Sequence, residues 1–358
     1  PVGGEGGSAS GVWTLEQAEW YISQGLWPKP IIPKQLWSWG YNSAGQLGLN
    51  NTTSYSSPKQ VGALTNWSSV SCGGNYTASI KTDGTLWSWG SNGFGQLGLN
   101  GDALSPTQVG ALTNWSSVSC GQYHTVSIKT DGTLWSWGYN NYGQLGQGNT
   151  TNLSSPKQVG ALTTWLSVSC GSSYTVSIKT DGTLWSWGRN NSGQLGLNNT
   201  TYYSSPKQVG ALTNWASVSC GNQHTLSVKT DGTLWAWGYN AYGQLGLGNK
   251  TQYNSPKQVG ALTNWSSVAC GNNYTVSIKT DGTLWSWGNG AEGQLGLGNI
   301  TYYSSPKQVG ALTNWSSVSC GQYNTVSIKT DGTLWSWGRN NYGQLGQGNT
   351  TNLSSPKQ

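Results

Sequence analysis

One repeat governs what this chain can fold into. Trp-Ser-Trp-Gly, once Trp-Ala-Trp-Gly, begins at Trp37, Trp87, Trp135, Trp185, Trp235, Trp285 and Trp335. Each copy runs on to Gly-Gln-Leu-Gly, a polar loop and Ser-Pro-Lys-Gln, with Thr107 replacing Lys once. A second half-repeat follows six of these copies: Val-Gly-Ala-Leu-Thr, a Trp, Ser-Val-Ser-Cys-Gly or a near variant, then Thr-Val-Ser-Ile-Lys-Thr-Asp-Gly-Thr or a near variant. The 23 Trp divide accordingly: fourteen in first halves, six in second halves (Trp67 to Trp315) and three near the N-terminus. A period of about 50 residues signals an array of identical supersecondary units, so the whole array decides the fold.

Each unit reads as four short strands. Thr125-Val126-Ser127-Ile128-Lys129 sets Val126 and Ile128 on one face at a period of two. Asp131-Gly132 is a hairpin dipeptide. Leu134-Trp135-Ser136-Trp137 is the partner strand with both indoles on one face, and Val118-Ser119-Cys120 is a short alternating strand before it. Pro156-Lys157-Gln158-Val159 supplies an outer strand, where an edge tolerates Pro. Four short strands per unit, radially repeated, make a β-propeller, and each blade's apolar faces are covered only by its neighbours. Burying a Trp removes ~150–250 Å² from water, so most repeat indoles are expected to pack between blades rather than serve a ligand.

These motifs resemble the regulator of chromosome condensation (RCC1) repeat over about residues 35–358, in a bacterial or phage-type version. The resemblance rests on the Ser-Cys-Gly and Thr-Val-Ser-Ile-Lys pair, on Asp-Gly-Thr-Leu-Trp-Ser-Trp-Gly and on Asn-x-x-Gly-Gln-Leu-Gly. It implies an all-β, seven-bladed propeller. With only six second halves, closure needs strands from the N-terminal segment, from another chain or from further polypeptide. Residues 1–34 read as a Gly-rich linker, a short amphipathic helix from Thr14 to Gln24 opened by the capping pair Thr14 and Gln17, and a connector carrying Pro28, Pro30 and Pro33. Residues 11–28 resemble a short module of tailed-phage structural proteins, which implies a virion or extracellular surface setting. Pro1 and the absence of Met suggest a processed product or a segment of something longer.

Catalytic raw material is scarce. Charged residues are 8% of the chain, and there are 2 His. His124 and His224 occupy a slot that other units fill with Tyr76, Tyr174, Tyr274 or Asn324, so the slot requires no general base. The six Cys, from Cys72 to Cys320, recur at the repeat period and read as small buried thiols rather than a disulfide framework. One Asp per Lys-Thr-Asp-Gly turn is too few oxygens for calcium. No nucleophile–base set or phosphate loop recurs, so the expectation is a protein without enzymatic activity, cofactor or metal. The net charge of +6 is spread mainly as one Lys per Pro-Lys-Gln, unlike the dense basic stripe that nucleic acid selects. No stretch of 18 or more apolar residues exists to span a membrane.

Differences among the copies concentrate after Cys-Gly, after Trp-Gly and in the loop before Ser-Pro. In an up-and-down blade the first two sets share one face. The candidate partner-binding residues are Tyr76, Tyr123, His124, Tyr174, His224, Tyr274 and Tyr323 from the first set, and Tyr41, Phe94, Tyr139, Tyr142, Arg189, Tyr239, Tyr242, Arg339 and Tyr342 from the second. Tyr and Arg dominate interface hot spots, and Tyr/Ser/Asn mixtures make adaptable binding surfaces. The expected function is a virion or cell-surface structural module presenting this face to a protein or glycan. Assembly through residues 1–34 is the accompanying expectation. An intracellular RCC1-type scaffold or nucleotide exchange factor is the alternative; the regular spacing leaves no insertion for an added wedge.

Overall fold

The computed structural model describes residues 34–358, of which 35–358 form one compact unit. The helix expected over 14–24 and the module-like stretch 11–28 lie outside the described residues. Strands β1 (Trp37–Gly40) and β2 (Tyr55–Gln60) pair as a two-stranded sheet. Strands β3 (Trp67–Cys72), β4 (Tyr76–Lys81), β5 (Leu86–Gly90) and β6 (Ala103–Gln108) follow as an antiparallel meander. That four-stranded sheet recurs five more times, the last from Trp315–Cys320 out to Leu353–Lys357. The architecture is all-β: a six-bladed propeller with four strands per blade and no helix among the described residues.

Seven copies of the first half-repeat therefore do not give the seven blades expected. Trp-Ser-Trp-Gly supplies only the third strand and Ser-Pro-Lys-Gln the fourth, and the copy at 37–60 has no first and second strand beside it. Its two strands still bridge the ring. On one side Trp39 Nε1 donates to Gln344 O at 3.0 Å and Gly348 N to Ser56 O at 2.8 Å. On the other, Thr77 Oγ1 and Trp89 Nε1 each donate to Gln46 O at 2.9 Å.

Local chemistry accounts for the meander. At each Asp-Gly turn the Asp carboxylate accepts from the backbone N–H and hydroxyl of the Thr two residues on, as Asp131 does from Thr133 at 2.9 and 2.6 Å. Gly132 takes a φ of +76°, while its Asp is not left-handed, so the turn is a type I turn closed by a left-handed glycine rather than a mirror-image two-residue turn. The same Thr hydroxyl accepts from Trp135 Nε1 at 2.9 Å. Pro156 stands in the outermost strand, where the ladder shifts register between Leu153 and Lys157. The second strand is buried on both faces, as in Tyr174–Lys179, because a neighbouring blade covers each side.

The core lies between blades. One cluster joins Leu226, Val228, Leu234 and Leu245 of one sheet to Trp265, Cys270 and Trp287 of the next. Within each blade the first-strand Trp sets its edge near both third-strand indoles, as Trp165 does at 6.2 Å from Trp185 and 5.9 Å from Trp187. A buried Lys completes the stack: Lys179 Nζ lies 3.6 Å from the Trp185 ring centre and 4.9 Å from that of Trp165. Burial holds its pKa below the ordinary lysine value. Among the described residues, the repeat indoles other than Trp37 are packed within and between blades, which agrees with the expectation for most of them.

Candidate interaction face

The first strand of every blade lines the axis, bringing the six Cys-Gly pairs around a central depression. The cysteines are free. The thiol of each of the five later ones donates across the blade junction, as Cys170 Sγ does to Ser119 O at 3.4 Å. Burial pushes Cys120, Cys220 and Cys320 up to about 12 and raises Cys170 and Cys270 as well, which keeps these thiols protonated and unreactive.

The chain leaves the first strand and the third strand at the same end of the blade. Tyr139 N donates to Tyr123 O at 2.8 Å, tying the two loops together. An aromatic arc results. Phe94 lies 5.1 Å from Tyr123 and 4.9 Å from Tyr139, ring centre to ring centre. Tyr142 lies 6.1 Å from Tyr139 and 5.7 Å from Tyr202. The Arg189 guanidinium stacks 5.2 Å over Tyr142, and its Nε has no hydrogen-bond partner among the described residues. Phe94 and Tyr202 are exposed, and the others half-buried. Two smaller groups sit on the same loops of other blades. Tyr239, Tyr242 and Tyr302 form one, with Tyr242 stacked 5.8 Å from Tyr302. Tyr41 with Tyr342, and Arg339 over Tyr323, form the other at 4.6 and 5.5 Å.

Five residues expected on this face are inside instead. Tyr76, His124, Tyr174, His224 and Tyr274 are buried at 0–1% exposure. Each opens the second strand and points at the next blade. Tyr174 Oη donates to His224 O at 2.6 Å and lies 3.0 Å from Thr225 Oγ1, whose own proton goes to Gln194 O at 2.8 Å. His124 Nε2 meets Thr175 Oγ1 at 3.2 Å and His224 Nε2 meets Thr275 Oγ1 at 3.3 Å. Burial lowers both histidines to about 3, so they are neutral at physiological pH. These side chains bolt blade to blade. Conversely, Tyr202 and Tyr302 were not among the expected contacts, although the loop before Ser-Pro was recognised as variable. It connects the third strand to the fourth and so ends on the same side.

Residues 33–264 match the RCC1-like domain. The chain belongs to that family. RCC1 repeats proper are matched at 281–328 and 331–358, and a second description of the same repeat matches 265–294 and 315–344. No curated protein sequence matches the chain. Among solved structures, human WBSCR16 is 24% identical, with 90% of this chain and 94% of that one covered at a TM-score of 0.81. Prp20p of Saccharomyces cerevisiae is 21% identical, covering 91% and 86% at 0.80. The complex of Kap60 with yeast RCC1 (Prp20) gives 19%, 92% and 84% at 0.79. At these identities the RCC1-like neighbours establish the fold alone.

Proposed function

We propose that the protein is an RCC1-type protein-interaction scaffold acting inside a cell, and that it holds its partner on the arc of Phe94, Tyr123, Tyr139, Tyr142 and Tyr202 with Arg189. The arc carries this reading. It joins rigid aromatic area to a stacked guanidinium, the composition of interface hot spots, on loops fixed by buried sheets. Relatives of the same fold are described with protein partners: Prp20p with binding properties toward Gsp1p and histones, and yeast RCC1 bound to Kap60. The matched family and these relatives lend no support to a virion module or to virion partners.

The test uses the full chain, tagged and expressed in its own cells, with partners quantified by mass spectrometry and their affinities then measured. Phe94→Ser/Tyr139→Ser/Tyr142→Ser is compared with Thr130→Ala/Thr180→Ala, which changes exposed turn residues at the opposite end of the blades. The triple variant should weaken the partner about 30-fold or more, the factor for a ~2 kcal/mol hot spot, with melting unchanged. Equal affinity for both variants and the parent would refute the arc as the site.

A further inference from the structure

The depression on the propeller axis opens on the same side as the aromatic arc, yet its chemistry is different. It is lined by the Cys-Gly pair of every blade and by the residue after each pair: Gly74, Gln122, Ser172, Asn222, Asn272 and Gln322. Its volume is about 260 Å³. Burial keeps the surrounding cysteines as neutral thiols. Among the described residues no Lys, Arg, His, Asp or Glu lines it, and no aromatic ring does.

Two hydrogen-bond relays orient its polar side chains. In one, Ser172 Oγ donates to Gln122 Oε1 at 2.6 Å, and Gln122 Nε2 donates to Tyr123 Oη at 3.3 Å. In the other, Asn222 Nδ2 donates to Asn272 Oδ1 at 2.6 Å, and Asn272 Nδ2 donates to Tyr323 Oη at 3.0 Å. The relays run in opposite directions around the ring, starting from the neighbouring blades of Ser172 and Asn222, and they cross only junctions between four-stranded sheets. Backbone bonds tie the same loops: Gln122 N donates to Ser172 O and Asn272 N to Gln322 O, both at 3.3 Å. Gln122, Ser172, Asn222 and Asn272 are half-buried, so each is fixed on one side and wet on the other. The capacity they keep is ordered. Asn222 Oδ1 and the lone pairs of Ser172 Oγ accept, and the second N–H of Gln122 and of Asn272 donates on either side of them.

This lining selects its ligand. A carboxylate, a phosphate or an ammonium group would enter without a counter-charge, and a flat aromatic ligand would find no ring to stack on. A hydroxyl donates and accepts at once, which suits a row of acceptors flanked by donors. Several hydroxyls on one compact ring, with C–H patches against the glycines and thiols, complete the match. The cavity is just below the ~300–1,000 Å³ of sites for drug-sized ligands and so admits a single ring. We infer that the axial depression binds one neutral hexopyranose residue, whose hydroxyls donate to Asn222 Oδ1 and Ser172 Oγ and accept from Gln122 Nε2 and Asn272 Nδ2. Each relay polarises the groups that face the sugar and strengthens these bonds. The site is separate from the arc and does not depend on the partner held there.

The test titrates the full-length protein with glucose, galactose, mannose and N-acetylglucosamine, each free and as its methyl glycoside. The readout is the side-chain amide resonances of Gln122, Asn222 and Asn272. At least one sugar should shift them saturably, with the roughly millimolar affinity of a shallow site. Asn222→Ala and, separately, Ser172→Ala should each weaken that sugar about tenfold, the cost of one lost hydrogen bond. Thr130→Ala/Thr180→Ala, at the opposite end of the blades, should leave it unchanged. Methyl glycosides that bind as well as the free sugars assign the ligand to the terminal residue of a glycan, and binding of the free sugars alone assigns it to a free hexose. The inference is overturned if none of these sugars gives a saturable shift, if glycerol at equal concentration reproduces the shifts, or if both single variants bind as the parent does.

Discussion

Acid should loosen the propeller at two blade junctions, because each holds a histidine that cannot be charged where it sits. The Thr175 hydroxyl already donates to Gln144 O at 2.9 Å, so the 3.2 Å contact requires His124 Nε2 to carry the proton. The same holds for His224 against Thr275, whose hydroxyl donates to Gln244 O. Each Nδ1 is thereby bare, buried and without a partner among the described residues. Burial lowers both pKa values from 6.5 to about 3. The unfolded chain binds these protons below pH 6.5 and the folded chain does not. The stability contribution is complete above 6.5 and is lost progressively as pH falls toward 3. At pH 4.5 the loss is ~2.7 kcal/mol per histidine, or ~5 kcal/mol for the pair, from 1.36 kcal/mol per pH unit. For a domain of this size that corresponds to a fall of about 10 °C in Tm. The repeat itself provides the control, since Tyr fills the equivalent slot at 76, 174 and 274. His124→Tyr/His224→Tyr keeps every carboxylate and removes only the imidazoles. Calorimetry from pH 7.5 to 4.5 should show the parent falling by that margin more than the variant. Parallel curves would refute the neutral-imidazole argument.

Two further outcomes follow from the junctions. Cys72 should react with a soluble thiol reagent ahead of the other five cysteines: its own sheet crowds the thiol and raises its pKa, but the residue is open to solvent. Access decides the order, since a solvated thiol reacts through its small thiolate fraction while the enclosed ones wait for blades to part. Mass mapping of a short alkylation pulse checks it, and label first on Cys170 or Cys270 would contradict it. Ala269→Ser restores the hydroxyl acceptor that four junctions use for the next Cys N–H. It should add about 1 kcal/mol to unfolding in denaturant, and a loss of stability would count against that bond.

The strands, turns and interblade indoles were legible because each rests on a local rule: alternation of period two, the Asp-Gly turn, and apolar area too large to leave wet. The blade number was not, because Trp-Ser-Trp-Gly is the most conspicuous string yet encodes only a third strand. Six is the number of second halves, and the count of Ser-Val-Ser-Cys-Gly and its near variants was the better guide to complete sheets.

Exposure alternates along the candidate face for a reason of parity. Tyr123 and His124 are adjacent, so as the second strand begins their side chains turn to opposite sides. One faces the open end of the blade and the other enters the junction, and a one-residue uncertainty in where the strand starts exchanges them. Variation among copies pointed the wrong way at the second position. Tyr, His and Asn alternate there as if drifting on a surface. Yet the Tyr and His side chains each reach the neighbouring blade with a polar tip and meet its Thr hydroxyl. A junction that supplies a backbone carbonyl and a hydroxyl asks for reach and one polar atom, not for one residue type. Hence variability at 76, 124, 174, 224 and 274 reflects a permissive socket, while at 94, 123, 139 and 142 it coincides with aromatic surface open to a partner.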